Sequence, residues 1–438
     1  MQPQTSPHQT APLAGTAGPR LGRLRWTICA LLFLGTTVNY VDRQVIGLLK
    51  PTLEQQFRWS ESDYANIVFS FQLAYAIGLL LAGGILDRIG VRLGYSVAVV
   101  VWSIAAVAHG FVRTVFGFCS ARFVLGFAEA ANFPAAIKAV GEWFPKKERA
   151  LATGLFNSGT NVGALATPLV VPWLASTWGW EAAFYATGAV GALFVVLWWP
   201  FYRDPHEHRR LSAGELQHIR ADPPDPPQKY PWSQMFLHRQ TWAFSLGKFL
   251  TDPWWWFYLF WVPTFLNTQF GVAVAPWKMG PPMVAIYMLA SVGSVAGGWL
   301  SSALIKHGWT VNAARKTAML ACALAVVPII FASRVAEMWT AVLLIGLAAA
   351  AHQGFSANIF TLVSDTVPRK AISSVTGIGG MAGAVGGMCV AKVVGWVLDA
   401  TNKNYLVPFL MAGFAYLVAL GVIHLLLPRL EPMKVERG

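Results

Sequence analysis

Charged residues lie deep inside two long apolar stretches of this sequence. Asp42 and Arg43 are neighbours in the first stretch, and Arg122 and Glu129 share another. A charge at the centre of a membrane-spanning helix costs about 2.5–3.5 kcal/mol on insertion scales, so such residues usually face a protein interior or a water-filled cavity. These four side chains are therefore our first candidates for a site that handles charged species.

The types and spacing of these residues indicate the chemistry that they suit. The planar guanidinium of an arginine matches a carboxylate with two parallel hydrogen bonds. A carboxyl group shielded from water takes up a proton readily and releases it when an arginine approaches. Arg122 and Glu129 are seven residues apart, which places them on one helix face, about 10 Å from each other. One face of this helix thus carries a cation and an acid, which suits an ion or substrate pathway, and the alternative is an internal structural ion pair.

Four further polar residues in apolar stretches each have a structural alternative. Lys248 and Asp252 lie four residues apart just before Pro253, either as an ion pair at a helix break or with Lys248 as a second cation in a cavity. The amides of Gln353 and Asn358 suit hydrogen bonds to sugar hydroxyls, or equally a helix–helix hydrogen bond.

For the other intramembrane candidates we favour the structural interpretation. We expect His352 to be a packing donor, and Lys138 and Lys392 to extend from span ends to the membrane surface. Most tryptophans fit an interfacial belt. Of the three consecutive tryptophans at 254–256, one or two can face a cavity, and Trp255 is our candidate.

The composition is that of an integral membrane protein. The 438 residues are 55% hydrophobic and 12% charged, with a mean hydropathy of +0.49, whereas soluble proteins carry about 25% charged residues. Apolar windows of about 20 residues predict an all-α chain with transmembrane helices. Twelve spans are predicted, at residues 26–49, 64–86, 93–111, 114–139, 150–174, 181–202, 241–267, 280–305, 315–333, 337–362, 371–397 and 404–427.

The basic residues predict the orientation of the chain. With the N-terminus inside, 22 Lys and Arg fall in inner segments and 6 in outer loops, which places both termini in the cytoplasm. The net charge of +13 therefore reflects topology, and we expect no nucleic-acid partner. All four cysteines lie in spans, so we expect no disulfide framework. With no phosphate-binding loop and no metal-ligand cluster in the sequence, we expect no cofactor, no metal and no ATP drive.

The sequence divides into two halves that repeat each other. We expect a disordered cytoplasmic tail at 1–25, a six-helix bundle at 26–202, a proline-rich cytoplasmic linker at 203–240, a second six-helix bundle at 241–427 and a cytoplasmic tail at 428–438. Pro145 and Pro368 follow spans 4 and 10, and each precedes a Thr-Gly pair at the same offset. Six-span repeats of this kind are expected in transporters, with the binding site between the halves.

Several segments resemble the major facilitator superfamily. Residues 84–92 (GILDRIGVR) are similar to its loop signature. Residues 39–43 (NYVDR) and 156–159 (FNSG), together with Arg122, Gly126 and Glu129, resemble its anion:cation symporter branch. The segments 248–258 and 351–358 resemble bacterial hexuronate transporters.

The resemblance implies roles for particular residues. Arg43 would bind the substrate anion, Asp42 and Glu129 would carry protons, and Arg122 would modulate them. The loop between spans 2 and 3 would close the cytoplasmic side, through Gly84, Asp87, Arg88 and Arg92. The substrate site would be completed by Asn39, Tyr40, Tyr75, Thr160, Lys248, Trp255, Gln353 and Asn358. Thr160 stands where some sugar-acid relatives carry Gln, so recognition of individual hydroxyls does not transfer.

Together these observations predict a monomeric carrier of the bacterial inner membrane. It would import a hexuronate-like monocarboxylate with protons by alternating access. The alternatives are a symporter of another organic anion, such as an aldonate or an aromatic or dicarboxylic acid, and a non-transporting membrane sensor. An integral-membrane enzyme is disfavoured because the intramembrane acids and histidines form no metal-ligand motif.

Overall fold

The computed structural model describes residues 22–222, 232–272, 276–401 and 404–433, and within these ranges it is helical, without strands. The prediction of an all-α chain is confirmed. We number the spans as predicted. Their helices are Leu24–Phe57 (span 1), Glu61–Ile89 (2), Val91–His109 (3), Val115–Glu129 and Asn132–Trp143 (4), Lys146–Trp178 (5), Trp180–Phe201 (6), Arg239–Phe270 (7), Pro276–Lys306 (8), Val311–Val326 (9), Met338–Thr366 (10), Ile372–Ala400 (11) and Leu406–Leu426 (12).

Ten segments of the described chain are long and apolar enough to cross a membrane. The helices of spans 5 and 7 fall outside this set although they have 33 and 32 residues. Both carry buried polar side chains, among them Asn157 and Asn161 in span 5 and Lys248 in span 7. These side chains lower the mean hydropathy of the helices that face the protein interior, so for these two helices membrane crossing stays a prediction.

Span 4 is broken where the sequence predicts one continuous helix. Its first helix ends at Glu129, and the second begins at Asn132. Pro134 has no N–H to donate to the carbonyl of Ala130, so a regular helical hydrogen bond is impossible there. The break places the Glu129 side chain at a helix end in the protein interior, where it is fully buried.

The two halves of the chain meet through matching glycine contacts. A Cβ on Gly83 of span 2 would collide with the Ser373 carbonyl at the start of span 11. A Cβ on Gly154 of span 5 would likewise collide with the carbonyl of Ser294 in span 8. Glycine is therefore required where these backbones approach so closely. The pairing of span 2 with span 11, and of span 5 with span 8, follows the sequence repeat.

The segment between the halves packs against the beginnings of spans 1 and 5, on a side of the molecule that we call the linker side. A short helix, Ala213–Ile219, lies in the segment between the halves. Its Glu215 accepts hydrogen bonds from Arg25, which also pairs with Glu148 at 2.9 Å. The last residues of the predicted N-terminal tail are thus ordered, since the span 1 helix begins at Leu24. Residues 1–21, the linker prolines at 223–227 and residues 434–438 lie outside the described residues.

Candidate functional site

Arg43 lies at the junction of two adjoining cavities between the halves, with volumes of about 90 and 160 Å³. Its guanidinium carbon lies 4.2 Å from the ring centre of Tyr75 and 5.0 Å from that of Tyr40. Its Nε donates to Glu129 at 2.8 Å, while its Nη2 is buried without a hydrogen-bond partner. Two aromatic rings and one carboxylate thus hold the Arg43 guanidinium. Its Nη2 can still donate a hydrogen bond to another group.

The partner of Glu129 differs from the one suggested by sequence spacing. Glu129 pairs with Arg43 of span 1 at 2.8 Å, and no ion pair within 4 Å joins it to Arg122. Arg122 instead donates to the Arg43 carbonyl at 3.4 Å and lies over the Phe71 ring at 4.3 Å. An ion pair between Arg122 and Glu129 is therefore wrong for this conformation, because the neighbouring helix brings a closer guanidinium to the acid.

Two predicted site residues of span 1 lie behind the cavity wall. Asp42 is buried, and neither of its carboxylate oxygens has a hydrogen-bond partner, so it does not orient Arg43 by a hydrogen bond. Consecutive helical residues point about 100° apart, which explains why Arg43 faces the cavity and Asp42 does not. Asn39 is buried and donates to the Glu129 carbonyl at 3.5 Å. A direct substrate contact by Asn39 is not supported in this conformation.

Most of the predicted substrate residues do come together around the cavity. Its wall includes Tyr40, Arg43, Tyr75, Thr160, Lys248, Trp255 and Gln353. Asn157, Ser356 and Thr376 also line it, and the sequence analysis did not single these out. The signal for Asn157 was present, since it lies in the quoted segment 156–159. It donates to Gln353 at 2.6 Å across the two halves.

Asn358 is a helix-packing residue in this structure. Its amide donates to the carbonyls of Gly297 and Gly354, both at 2.9 Å, and it does not line the cavity. These contacts favour the helix–helix alternative, and a substrate contact by Asn358 stays a prediction without support in this conformation. The helix–helix alternative holds because glycines at both positions bring the backbones of spans 8 and 10 within reach of its side chain.

The C-terminal half contributes an ion pair and a stack of rings. Lys248 pairs with Asp252 at 2.7 Å and lies over the Phe360 ring at 4.1 Å. The Trp255 ring stacks on His352 with the ring centres 5.3 Å apart. Both interpretations of Lys248 therefore apply, because it pairs with Asp252 within one helix and is also a cation in the cavity wall.

Asp87 joins the two halves on the linker side. Its carboxylate accepts from the backbone N–H of Ser374 at 2.8 Å and from Lys138 at 2.8 Å. Lys138 is 4% exposed, so the expectation that it extends to the membrane surface is wrong. A second ionic contact lies nearby, where Arg149 of span 5 binds the Ser364 carbonyl and Asp365 of span 10.

The remaining predicted gate residues lie elsewhere. The Arg88 side chain is exposed, and Arg92 donates to the Trp199 carbonyl at 2.9 Å within the N-terminal half. Gly84 is half-buried, and its neighbour Gly83 makes the close approach to span 11. Among the four predicted gate residues, Asp87 is therefore the one whose side chain hydrogen-bonds to the other half. Within the described ranges, no three His, Cys, Asp or Glu side chains come together as metal ligands would.

Comparison with known families fits this arrangement of helices around a central cavity. A family model for the Major Facilitator Superfamily matches residues 32–391. The chain belongs to this superfamily. It is a multi-pass membrane transporter rather than an enzyme, as the sequence analysis predicted.

Curated relatives in the superfamily are named for sugar acids. The chain is 30% identical over 388 residues to the hexuronate transporter of Escherichia coli (strain K12), covering 86% of this chain and 88% of the relative. It is 31% identical over 295 residues to the galacturonate transporter of Dickeya chrysanthemi, covering 65% and 83%. It is 30% identical over 427 residues to a probable galactarate/D-glucarate transporter of Escherichia coli (strain K12), covering 91% and 95%.

Solved structures of superfamily members share the fold. The proton:xylose symporter XylE, bound to 6-bromo-6-deoxy-D-glucose, superposes with a TM-score of 0.73 at 15% identity, covering 91% of this chain and 94% of that one. FucP in the outward conformation superposes with a TM-score of 0.69 at 16% identity, covering 92% and 99%. These likenesses show the major facilitator fold.

Proposed function

We propose that this transporter imports a hexuronate-like monocarboxylic sugar acid together with protons. The observation that carries the proposal is the Arg43 guanidinium at the junction of the two cavities, with a buried Nη2 that lacks a hydrogen-bond partner. A carboxylate fits such a fork. Relatives of about 30% identity that are named for hexuronate and galacturonate support the substrate class.

In this proposal, proton coupling arises because the Glu129 carboxylate and the substrate carboxylate bind Arg43 in turn. In the structure, the Glu129 carboxylate occupies Nε of Arg43 at 2.8 Å. A proton on Glu129 neutralises that carboxylate and releases the guanidinium to the substrate. Loss of the proton restores the pair and expels the anion. Asp42, buried without a hydrogen-bond partner, is a second proton carrier in this scheme, and Arg122 modulates both acids.

The remaining cavity residues suit a polyhydroxylated body. Gln353 and Asn157 already form a hydrogen bond between the halves, and Thr160 lies beside them in the wall. These groups can donate to and accept from sugar hydroxyls. Trp255 and Tyr75 offer flat faces against which the apolar side of a sugar ring packs. The sugar would thus contact both halves while its carboxylate binds one of them.

We propose that the linker side is cytoplasmic and that the structure represents an outward-facing state. The excess of basic residues in the inner segments supports the orientation. The contacts of Asp87 with Ser374 and of Arg149 with Asp365 join the halves on that side. Breaking them would open the cavity to the cytoplasm and complete alternating access in the inner membrane.

The direct test is uptake by the purified protein in proteoliposomes. Labelled D-galacturonate should accumulate when the outside is acidic and should equilibrate without accumulation when the pH is equal on both sides. Excess unlabelled D-galactonate tests the alternative of an aldonate substrate, which a 28% identical relative named as a D-galactonate transporter motivates. The proposal fails if no sugar acid enters the vesicles, the result expected of a non-transporting sensor.

A further inference from the structure

An acidic residue faces the cavity that is proposed to receive an anion. The side chain of Asp252 is 20% exposed, whereas that of its partner Lys248 is 6% exposed. Lys248 is the more buried member of the pair, and its Nζ lies 4.1 Å from the centre of the Phe360 ring. The more accessible member of this pair is therefore the carboxylate, whose charge would repel a substrate carboxylate placed beside it.

Span 11 leaves room for this acid. A Cβ on Gly383 would collide with the Asp252 carboxylate, and a Cβ on Gly386 would collide with the Phe249 carbonyl one turn away. The side chain of Asp252 thus fits because its neighbour in span 11 has no side chain. The acid belongs to the packed interface of spans 7 and 11 and is held in place there.

The formal charges around the cavity cancel in the empty protein. Among the described residues that line the cavity of about 90 Å³, the charged ones are Arg43, Lys248 and Asp252, with His352 counted as neutral. Arg43 pairs with Glu129 at 2.8 Å, and Lys248 pairs with Asp252 at 2.7 Å. Asp42 and Arg122, which are both buried, cancel each other. At the stage of the cycle where Asp42 is still charged, one proton on Glu129 leaves a surplus of one positive charge, which matches a single carboxylate.

We infer that Asp252 restricts the cargo to monoanions by cancelling the charge of Lys248. This inference rests on the proposed function, in which Arg43 binds the substrate carboxylate and Glu129 takes up the proton. Without Asp252 the protonated cavity would carry two positive charges, on Arg43 and on Lys248, which line the same cavity. Asp252 is thus a specificity-determining residue, and a diacid is excluded by the missing second charge.

Three acids with one carbon skeleton provide the probes. D-Galacturonate and D-galactonate carry one carboxylate, and galactarate carries two. Binding of each is measured by calorimetry on the purified full-length protein at one mildly acidic pH. The wild type should bind galacturonate more tightly than galactarate. D-Galactonate and galactarate are both open chains, so their comparison separates charge from ring shape.

Asp252→Asn should raise the ratio of galactarate to galactonate affinity about tenfold or more, because Lys248 is then uncompensated. Lys248→Gln makes the opposite change and should lower the same ratio. The double variant Lys248→Gln/Asp252→Asn is the matched control. Both affinities should fall in it while the ratio returns to near the wild-type value, since the pair is again neutral. If one single variant fails to fold, the other and the double still test the inference.

The outcomes separate this inference from the proposed function. A wild type that binds no sugar acid would end the proposed function. A wild type that binds galacturonate, with ratios unchanged in both single variants, would leave the proposed function standing and refute the role of Asp252. A double variant that shows the same ratio as Asp252→Asn would also refute it, because the change would then come from altered shape. A wild type that prefers galactarate would overturn the inference at once.

Discussion

At the scale of single residues, the geometry of Arg43 determines what a substitution should do. Its guanidinium uses one nitrogen for Glu129 and packs against the rings of Tyr40 and Tyr75. A lysine would keep the charge but lose the planar fork and the stacking surface.

We therefore expect Arg43→Lys to weaken binding of D-galacturonate at least tenfold, about 1.4 kcal/mol or more. Calorimetry on the purified protein measures the effect. Arg113→Lys, at an arginine whose side chain is 50% exposed, is the matched control and should bind as the wild type does. Equal binding by Arg43→Lys and the wild type would assign Arg43 a purely structural role.

Glu129→Gln should separate exchange from accumulation. Glutamine resembles the protonated acid and cannot hold Arg43 as a carboxylate does. The variant should still exchange labelled for unlabelled D-galacturonate across a membrane, because exchange requires no loss of the proton. It should fail to accumulate the acid under a pH gradient, because return of the empty carrier requires proton release. Full accumulation by this variant would show that Glu129 is not an obligatory proton carrier.

The same exchange of partners predicts the pH dependence of binding. Wild-type affinity for D-galacturonate should fall as the pH rises, since deprotonated Glu129 occupies Arg43. At the alkaline end the slope should approach one decade per pH unit for one linked proton. Glu129→Gln should flatten this dependence. A binding curve of the wild type that is flat with pH would argue against the partner exchange.

At the scale of helices, Asp87 is the connection to test. It links span 2 to the first residues of span 11 and pairs with buried Lys138. Asp87→Asn should shift the population towards the inward-facing state by about 1–3 kcal/mol, the usual range of coupling between two states. A single cysteine at Thr376, a cavity-lining position, should then react faster from the cytoplasmic side. Arg88→Gln, at the exposed neighbour, is the control. Equal rates of cysteine labelling in the wild type and both variants would show that Asp87 does not hold the cytoplasmic side closed.

The sequence was sufficient to predict the helices but not to predict which side chains of neighbouring helices contact each other. Apolar windows located the spans, and the repeated Thr-Gly pairs indicated that the two halves correspond to each other. Neither signal reveals which residue of another helix lies nearest, so the pairing of Glu129 with Arg43 was not anticipated and the position of Lys138 was predicted wrongly. Asn358 shows the same limit, because its sequence permits a sugar contact and a helix contact equally. The break of span 4 after Glu129 was readable in principle from Pro134.

At the scale of the whole molecule, the distribution of basic residues predicts that the linker side is cytoplasmic. In a background without the four cysteines, a cysteine at exposed Glu207 should resist an impermeant maleimide added to intact spheroplasts. A cysteine at exposed Asn404, on the predicted outer face, is the control and should react readily. The reverse pattern of labelling would invert the topology.

The pairing of Arg43 with Glu129 has a consequence for the mixture of acids that a cell meets. In the proposed function, Glu129 would be a tethered competitor for Arg43, present at a high effective concentration whatever the medium contains. A small carboxylate such as acetate would offer Arg43 the same group and nothing more, so it would gain no advantage over Glu129. A sugar acid would add hydroxyl contacts with the other half and would displace Glu129. The ion pair would thus set a threshold that keeps abundant bystander anions from using the carrier and dissipating the proton gradient.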